Sequence, residues 1–141
     1  SVRVLVENLT HIDHDEKYSK KPVADQFFNT FEMPSIKADY LAYMEPDTIP
    51  IQSLWLEKLY EEVEFGGDFW YKGSIYRGDA KPTDYCYSLC GCAEHINGNA
   101  IYSMNSGHWV QFLRSVHRKM DFVSHNYDAF IMRELKSLEN W

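Results

Sequence analysis

Two carboxylates stand two positions apart directly after an apolar run. Residues 40–44 are all apolar or aromatic, which predicts a strand buried on both faces, of the kind found inside a parallel sheet. Glu45 and Asp47 follow, and side chains at i and i+2 of an extended chain point the same way. Ligands of open α/β sheets collect at the carboxyl ends of strands. The pair therefore predicts a Mg²⁺ or Mn²⁺ site that carries a diphosphate.

Composition limits the classes of function. The chain has 141 residues, of which 45% are hydrophobic, enough for one domain with its own core. The formal net charge is −7 and the basic residues are scattered, which argues against nucleic acid or an anionic membrane as a partner. No apolar run approaches the roughly 20 residues of a membrane span. The compartment stays open between the cytoplasm and a secretory lumen, because residues 8–10 form a glycosylation sequon while the cysteine count is odd.

Hydrophobic periodicity indicates strands interleaved with helices, which is typical of an α/β layer structure. We expect strands at 39–44 and 69–76 and a loop over 78–92. One helix should begin near Pro22, and three others should cover 52–63, 107–120 and 127–138. Gly66 and Gly67 should end the second helix.

Polar residues in the second half could bind a substrate. Residues 97–99, Asn-Gly-Asn, predict a tight polar element whose amides could form hydrogen bonds with sugar hydroxyls. The alternative is a plain turn between two strands. Trp70 and Lys72 lie two apart on the second strand, where a shared face would offer a stacking wall and a phosphate contact. His125 could be a third metal ligand, a phosphate contact or a surface histidine.

The cysteines suggest a different chemistry. Cys86, Cys90, Cys92 and His95 spell C-x3-C-x-C-x2-H, which contains enough ligands for zinc. The spacing is not that of a standard knuckle and no second ligand pair follows. Free thiols or one local disulfide are the alternative.

The order of several segments resembles a known family. Residues 44–50, Met-Glu-Pro-Asp-Thr-Ile-Pro, followed by Trp-Leu-Glu-Lys-Leu at 55–59, resemble the metal-motif region of GT-A-fold nucleotide-sugar glycosyltransferases of the family 2 type. Residues 69–75 and 95–102 are similar to segments of small GT-A proteins from algae and their large viruses. Tyr127-Asp128 is similar to the position of the acid that activates the acceptor hydroxyl. The chain departs from Asp-x-Asp in having glutamate first.

The resemblance implies a GT-A-like α/β domain over 1–141, with a mixed sheet flanked by helices. It corresponds to the metal and acceptor half, because the nucleoside-binding β-α-β segment is N-terminally incomplete. The implied function is transfer of a sugar from a nucleoside-diphosphate sugar to a hydroxyl acceptor, dependent on Mn²⁺ or Mg²⁺ and inverting. The implied site residues are the metal ligands Glu45, Asp47 and His125, the base Asp128 with Asp121 as its alternative, and the substrate-binding residues Asp39, Trp70, Lys72, Asn97, Gly98 and Asn99.

Two other functions compete with this one. The incomplete nucleoside-binding segment also fits a non-catalytic module that binds glycan or joins a larger assembly. The cysteine-rich segment fits a zinc-stabilised interaction domain.

Overall fold

A computed structural model describes residues 21–33, 36–45, 48–75, 95–120 and 126–138 of the chain. These ranges contain both helices and strands, which confirms the predicted mixture of the two. The elements are α1 Lys21–Thr30, β1 Tyr40–Tyr43, α2 Trp55–Glu64, β2 Tyr71–Ile75, β3 Ile96–Ser103, α3 Gly107–Lys119 and α4 Tyr127–Leu138.

The described strands form one antiparallel sheet in the order β1-β3-β2. Ala100 in the middle strand pairs with Tyr43 on one side and with Gly73 on the other. Because β1 and β2 are both antiparallel to β3, they run in the same direction as each other. The carboxyl ends of β1 and β2 and the amino end of β3 therefore lie at one edge. We call this the acid edge, defined by Glu45 and residues 95–99.

The prediction that residues 40–44 lie inside a parallel sheet is wrong. β1 has β3 as its only partner within the described sheet, and the pairing is antiparallel. Leu41 and Tyr43 are half-buried against the core, while Ala42 between them is exposed. A short apolar run shows that one face of a strand is covered, but it does not reveal the number or direction of its neighbours.

Helices α1, α3 and α4 cover one face of the sheet and supply most of the core. At its centre, the Phe27 ring stacks on Tyr127 with centroids 4.2 Å apart and meets the edges of Tyr43 and Tyr102, each at 5.3 Å. Trp109 of α3 is fully buried. The remaining buried members of this cluster are Ala24, Phe28, Phe31, Ala100, Leu113, Val116, Met120, Phe130 and Ile131. The helices predicted near Pro22, over 107–120 and over 127–138 are thus confirmed, and each packs an apolar face into the core. Val23 and Leu138 remain 43% and 50% exposed.

Helix α2 lies by the other face of the sheet and has no buried residue. Ile51 and Leu54 continue the apolar spacing of this segment but are 97% and 65% exposed. The helix begins at Trp55 rather than 52, because Leu54 has the left-handed φ of 57° and interrupts the helical backbone. It ends before Gly66 and Gly67, as predicted.

Residues 97–99 lie inside β3 and do not form a turn between elements. The strand pairing is irregular here, since the two-residue step from Gly73 to Ile75 opposes the four-residue step from Ala100 to Ile96. Such bulges re-aim side chains and often occur beside active sites. The polar tripeptide is therefore an irregular part of the central strand, located at the acid edge.

Candidate functional site at the acid edge

Three distant parts of the chain meet at the carboxylate of Glu45. Asn99 of β3 donates from Nδ2 to Glu45 Oε2 at 3.1 Å, across 54 residues of sequence. Tyr127 of α4 donates from its hydroxyl to Glu45 Oε1 at 3.1 Å, across 82 residues. Both oxygens of the carboxylate are therefore held by neutral donors from two different elements, which fixes the orientation of the side chain.

Asn99 also binds the backbone of Glu45 and the side chain of Thr48. Its Oδ1 accepts from the Glu45 backbone N–H at 2.7 Å and from the Thr48 hydroxyl at 2.8 Å. The Thr48 N–H in turn donates to the Glu45 carbonyl at 2.9 Å. Asn97 Oδ1 accepts from both the Asn99 backbone N–H at 3.0 Å and Asn99 Nδ2 at 2.8 Å. The two asparagines and Thr48 thus form one hydrogen-bonded unit with Glu45.

Tyr127 is buried against the same unit. Burial raises the pKa of its hydroxyl well above the ordinary value, and the nearby Glu45 carboxylate raises it further. The phenol therefore stays protonated and donates to Glu45. A Cβ atom at Gly98 would lie 1.8 Å from the Tyr127 hydroxyl oxygen, so this ring needs glycine at that position.

A buried histidine and carboxylate form a second pair at the same edge. His95 Nε2 lies 3.3 Å from Asp128 Oδ2, and the two side chains are only 10% and 14% exposed. Asp128 Oδ1 accepts from the Ala129 N–H at 2.8 Å. The Tyr71 hydroxyl is buried with no hydrogen-bond partner among the described residues. The pKa of Tyr71 is raised to about 12, mainly by burial and to a lesser extent by the charge of Asp128.

A cleft of about 470 Å³ opens beside this edge, between α2 and the sheet. Its walls combine an aromatic ring, apolar side chains, hydroxyls and a cation; they include Thr48, Trp55, Leu59, Lys72, Ser74 and Ile101. Lys72 forms an ion pair with Glu62 of α2, and both side chains are about half exposed. An exposed pair of this kind contributes little to stability. Lys72 can therefore exchange its partner for an anionic ligand at low cost.

Glu45 is a carboxylate at the acid edge that could ligate a divalent ion. No group of three metal-binding side chains occurs within the described ranges. An ionised carboxylate offers about four lone-pair sites, and the bonds from Asn99 and Tyr127 occupy two of those on Glu45. Mg²⁺ is commonly held by one or two carboxylates together with substrate phosphates and water. Glu45 can serve as one such ligand.

The structure gathers half of the predicted site residues at the acid edge and Lys72 in the adjoining cleft. Those at the edge are Glu45, Asn97, Gly98, Asn99 and Asp128. The predicted metal ligands Asp47 and His125 lie outside the described residues, as do the alternative base Asp121 and the three cysteines.

Asp39 and Trp70 lie at the opposite end of the sheet. Asp39 precedes β1, is exposed, and accepts the Met104 N–H with its carbonyl at 2.7 Å. Its separation from Glu45 is about 20 Å at the rise of an extended strand. The Trp70 ring stacks on Trp109 of α3 at 5.7 Å, whereas Lys72 reaches Glu62 of α2. Trp70 and Lys72 therefore do not share a face, because Trp70 precedes the regular alternation of β2.

Several residues of the site were not predicted from the sequence. Thr48, Trp55 and Tyr127 lie in motifs that predict no role for them, and the sequence pattern around His95 predicts a role only as a zinc ligand. Thr48 follows the acidic pair, and His95 directly precedes the Asn-Gly-Asn tripeptide. This adjacency was the available signal, but no local pattern shows that α4 returns to Glu45.

Comparison with protein-family models, curated proteins and solved structures finds no match to this chain. None of the described helices is long and apolar enough to cross a membrane.

Proposed function

We propose that this chain carries the metal-binding and acceptor-binding functions of a GT-A-type glycosyltransferase, which moves a sugar from a nucleoside-diphosphate sugar to a hydroxyl. One observation carries the proposal. Glu45, the Asn97–Asn99 segment of β3 and the Tyr127–Asp128 start of α4 converge on one edge of the sheet. Each of these segments is part of the resemblance to GT-A enzymes. The contacts between the segments come from the fold and do not depend on that resemblance. The carboxyl ends of β1 and β2 lie on either side of the amino end of β3 at this edge.

The donor would lie across the acid edge and the cleft. In this proposal Glu45 and Asp47 would hold Mn²⁺ or Mg²⁺, and the bound ion would supply Lewis-acid stabilisation of the departing diphosphate. Lys72 exchanges its exposed pairing with Glu62 for a donor phosphate. Trp55, half-buried in the cleft wall, offers its ring to the sugar or the base.

Asp128 is proposed as the base for the acceptor. In a direct displacement, the acceptor oxygen bonds to the anomeric carbon while the bond to the diphosphate breaks, which inverts that centre. The acceptor proton passes to Asp128, and the electron pair of the broken bond leaves with the diphosphate. The position of Asp128 in the first turn of α4, one residue after Tyr127, brings it to the edge that Glu45 occupies.

Metal-dependent nucleotide binding tests the proposal. Calorimetric titration of the chain with uridine or guanosine diphosphate should show binding that requires Mn²⁺ and is removed by chelation. Glu45→Gln and Asp47→Ala should each weaken it at least about tenfold, since both remove a charged oxygen ligand. Glu32→Gln is the matched control, because Glu32 is an exposed carboxylate just after α1 that pairs with Arg114 of α3. Equal affinity in wild type and Glu45→Gln would contradict the assignment of the metal.

A second function, a non-catalytic glycan-binding or assembly module, is favoured by one feature. Both Glu45 oxygens already accept hydrogen bonds from within the protein, which is also what a structural carboxylate would do. Binding of oligosaccharides without any Mn²⁺-dependent binding of nucleoside diphosphates would support this module over the enzyme.

A further inference from the structure

We infer that Asn99 is a positioning residue, which clamps Glu45 and Thr48 and sets the direction of the Glu45 carboxylate. The inference rests on the proposed function for the ligand that Glu45 meets, but the clamp itself is independent of that ligand. It gives Asn99 a role different from direct contact with a sugar.

The hydrogen-bonding capacity of the Asn99 side chain is fully used. An asparagine amide has two N–H donors and two acceptor lone pairs. The donors go to Glu45 Oε2 and Asn97 Oδ1, and the lone pairs accept from the Glu45 N–H and the Thr48 hydroxyl. A sugar hydroxyl could bind this amide only by displacing one of these four bonds.

The surrounding groups also determine which way the amide faces. Asn97 Oδ1 and the Glu45 carboxylate can only accept, so Nδ2 must face them. The Glu45 backbone N–H can only donate, so Asn99 Oδ1 must face that N–H. The reversed amide would place acceptor against acceptor and donor against donor. A single orientation therefore satisfies every partner, as a rigid support requires.

The clamp binds both the backbone and the side chain of Glu45. The bond to the N–H fixes where the chain leaves β1, and the bond to Oε2 fixes the end of the side chain. Tyr127 holds the other carboxylate oxygen. Groups that orient a metal ligand typically affect metal affinity 10–100-fold, an order-of-magnitude range. Loss of Asn99 should therefore weaken metal-dependent binding, because it releases one oxygen of the Glu45 carboxylate.

The test combines amide hydrogen exchange with nucleotide binding. In Asn99→Ala, without any metal, the Glu45 amide should exchange about tenfold faster, as expected for loss of one hydrogen bond. Mn²⁺-dependent binding of uridine or guanosine diphosphate should fall at least about tenfold. Asn99→Asp keeps an oxygen for the Glu45 N–H but replaces the donor to Oε2 with a charge, so it should retain amide protection and lose affinity. Asn105→Ala is the control, since Asn105 is exposed beyond the other end of β3.

Unchanged exchange at Glu45 in Asn99→Ala would overturn the clamp. Faster exchange with wild-type affinity would overturn its positioning role. If the wild-type chain binds no nucleotide with Mn²⁺, the proposed function fails, and the exchange result alone then supports or overturns the clamp. Should Asn99→Ala lose its cooperative unfolding transition, Asn99→Asp decides, and unchanged affinity in that variant would reject the inference.

Discussion

At the scale of single residues, the contact between Gly98 and Tyr127 connects backbone packing to the candidate site. The Tyr127 hydroxyl oxygen occupies the place of a side chain at Gly98, 1.8 Å from where a Cβ atom would be. The same hydroxyl donates to Glu45. A change at Gly98 must therefore move the tyrosine away from the carboxylate that it holds.

Gly98→Ala should destabilise the protein by about 1–3 kcal/mol, the usual cost of overpacking a filled interior. Chemical denaturation measures this loss. The double variant with Tyr127→Phe should lose less than the sum of the two single losses, because removing the hydroxyl removes the nearest clashing atom. Gly107→Ala is the control, because nothing lies within 4 Å of a Cβ atom built there. Additive losses would mean that Gly98 and Tyr127 do not compete for the same space.

At the scale of elements, α2 differs from the other helices. Its sequence has the periodic apolar pattern of a packed helix, yet none of its residues is buried. It forms the outer wall of the cleft and contributes Trp55 and Leu59 to it. Leu54 at its start adopts left-handed backbone angles and makes no side-chain cap. Leucine is poorly suited to that conformation, whereas asparagine tolerates it.

Leu54→Asn should stabilise the protein by about 1 kcal/mol, since a left-handed backbone costs a residue with a bulky side chain roughly 1–2 kcal/mol. The exposed leucine loses little packing in exchange. Helicity by circular dichroism and the midpoint of urea unfolding provide the measurement. Leu56→Asn, at an exposed position inside the helix, should give no gain. A loss of stability in Leu54→Asn would show that Leu54 has a packing role that its exposure does not suggest.

At the scale of the whole molecule, the core depends on aromatic rings that carry hydroxyl groups. Tyr102 and Tyr127 contact Phe27 at its centre, and Tyr71 stacks on Tyr102 and Trp109. Burial raises the pKa of all three tyrosines above the ordinary value of 10.0, to about 12 for Tyr71 and further for the other two. Ionising any of them in the folded protein would bury an unpaired charge.

Stability should therefore fall on the alkaline side. A folded-state pKa raised above the unfolded value gives stability that is complete below pH 10 and is lost as pH rises through the folded value. Tyrosinate absorbance should show an early class of exposed tyrosines and a late class that ionises only as circular dichroism reports unfolding. At neutral pH, Tyr71→Phe should leave the stability unchanged or raise it, because that hydroxyl lacks a partner among the described residues. The stability of this variant should also fall less steeply than that of the wild type as the pH rises above 10.

Tyr60→Phe is the control for this titration, because Tyr60 is 53% exposed and should leave the late class unchanged. Ionisation of every tyrosine in one step near pH 10, before unfolding, would contradict the buried-hydroxyl account.

Helical periodicity predicts the helical segments and most of the residues of α1, α3 and α4 that enter the core, because it is a local property that survives folding. The apolar run before Glu45 likewise predicts a strand there. Tertiary contacts set the direction of that strand's partner, the place of the Asn-Gly-Asn tripeptide inside β3, and the separation of Trp70 from Lys72. Above all, they bring Asn99 and Tyr127 to Glu45, across 54 and 82 residues. Such meetings depend on strand order and helix docking, which arise from contacts that no local spacing encodes.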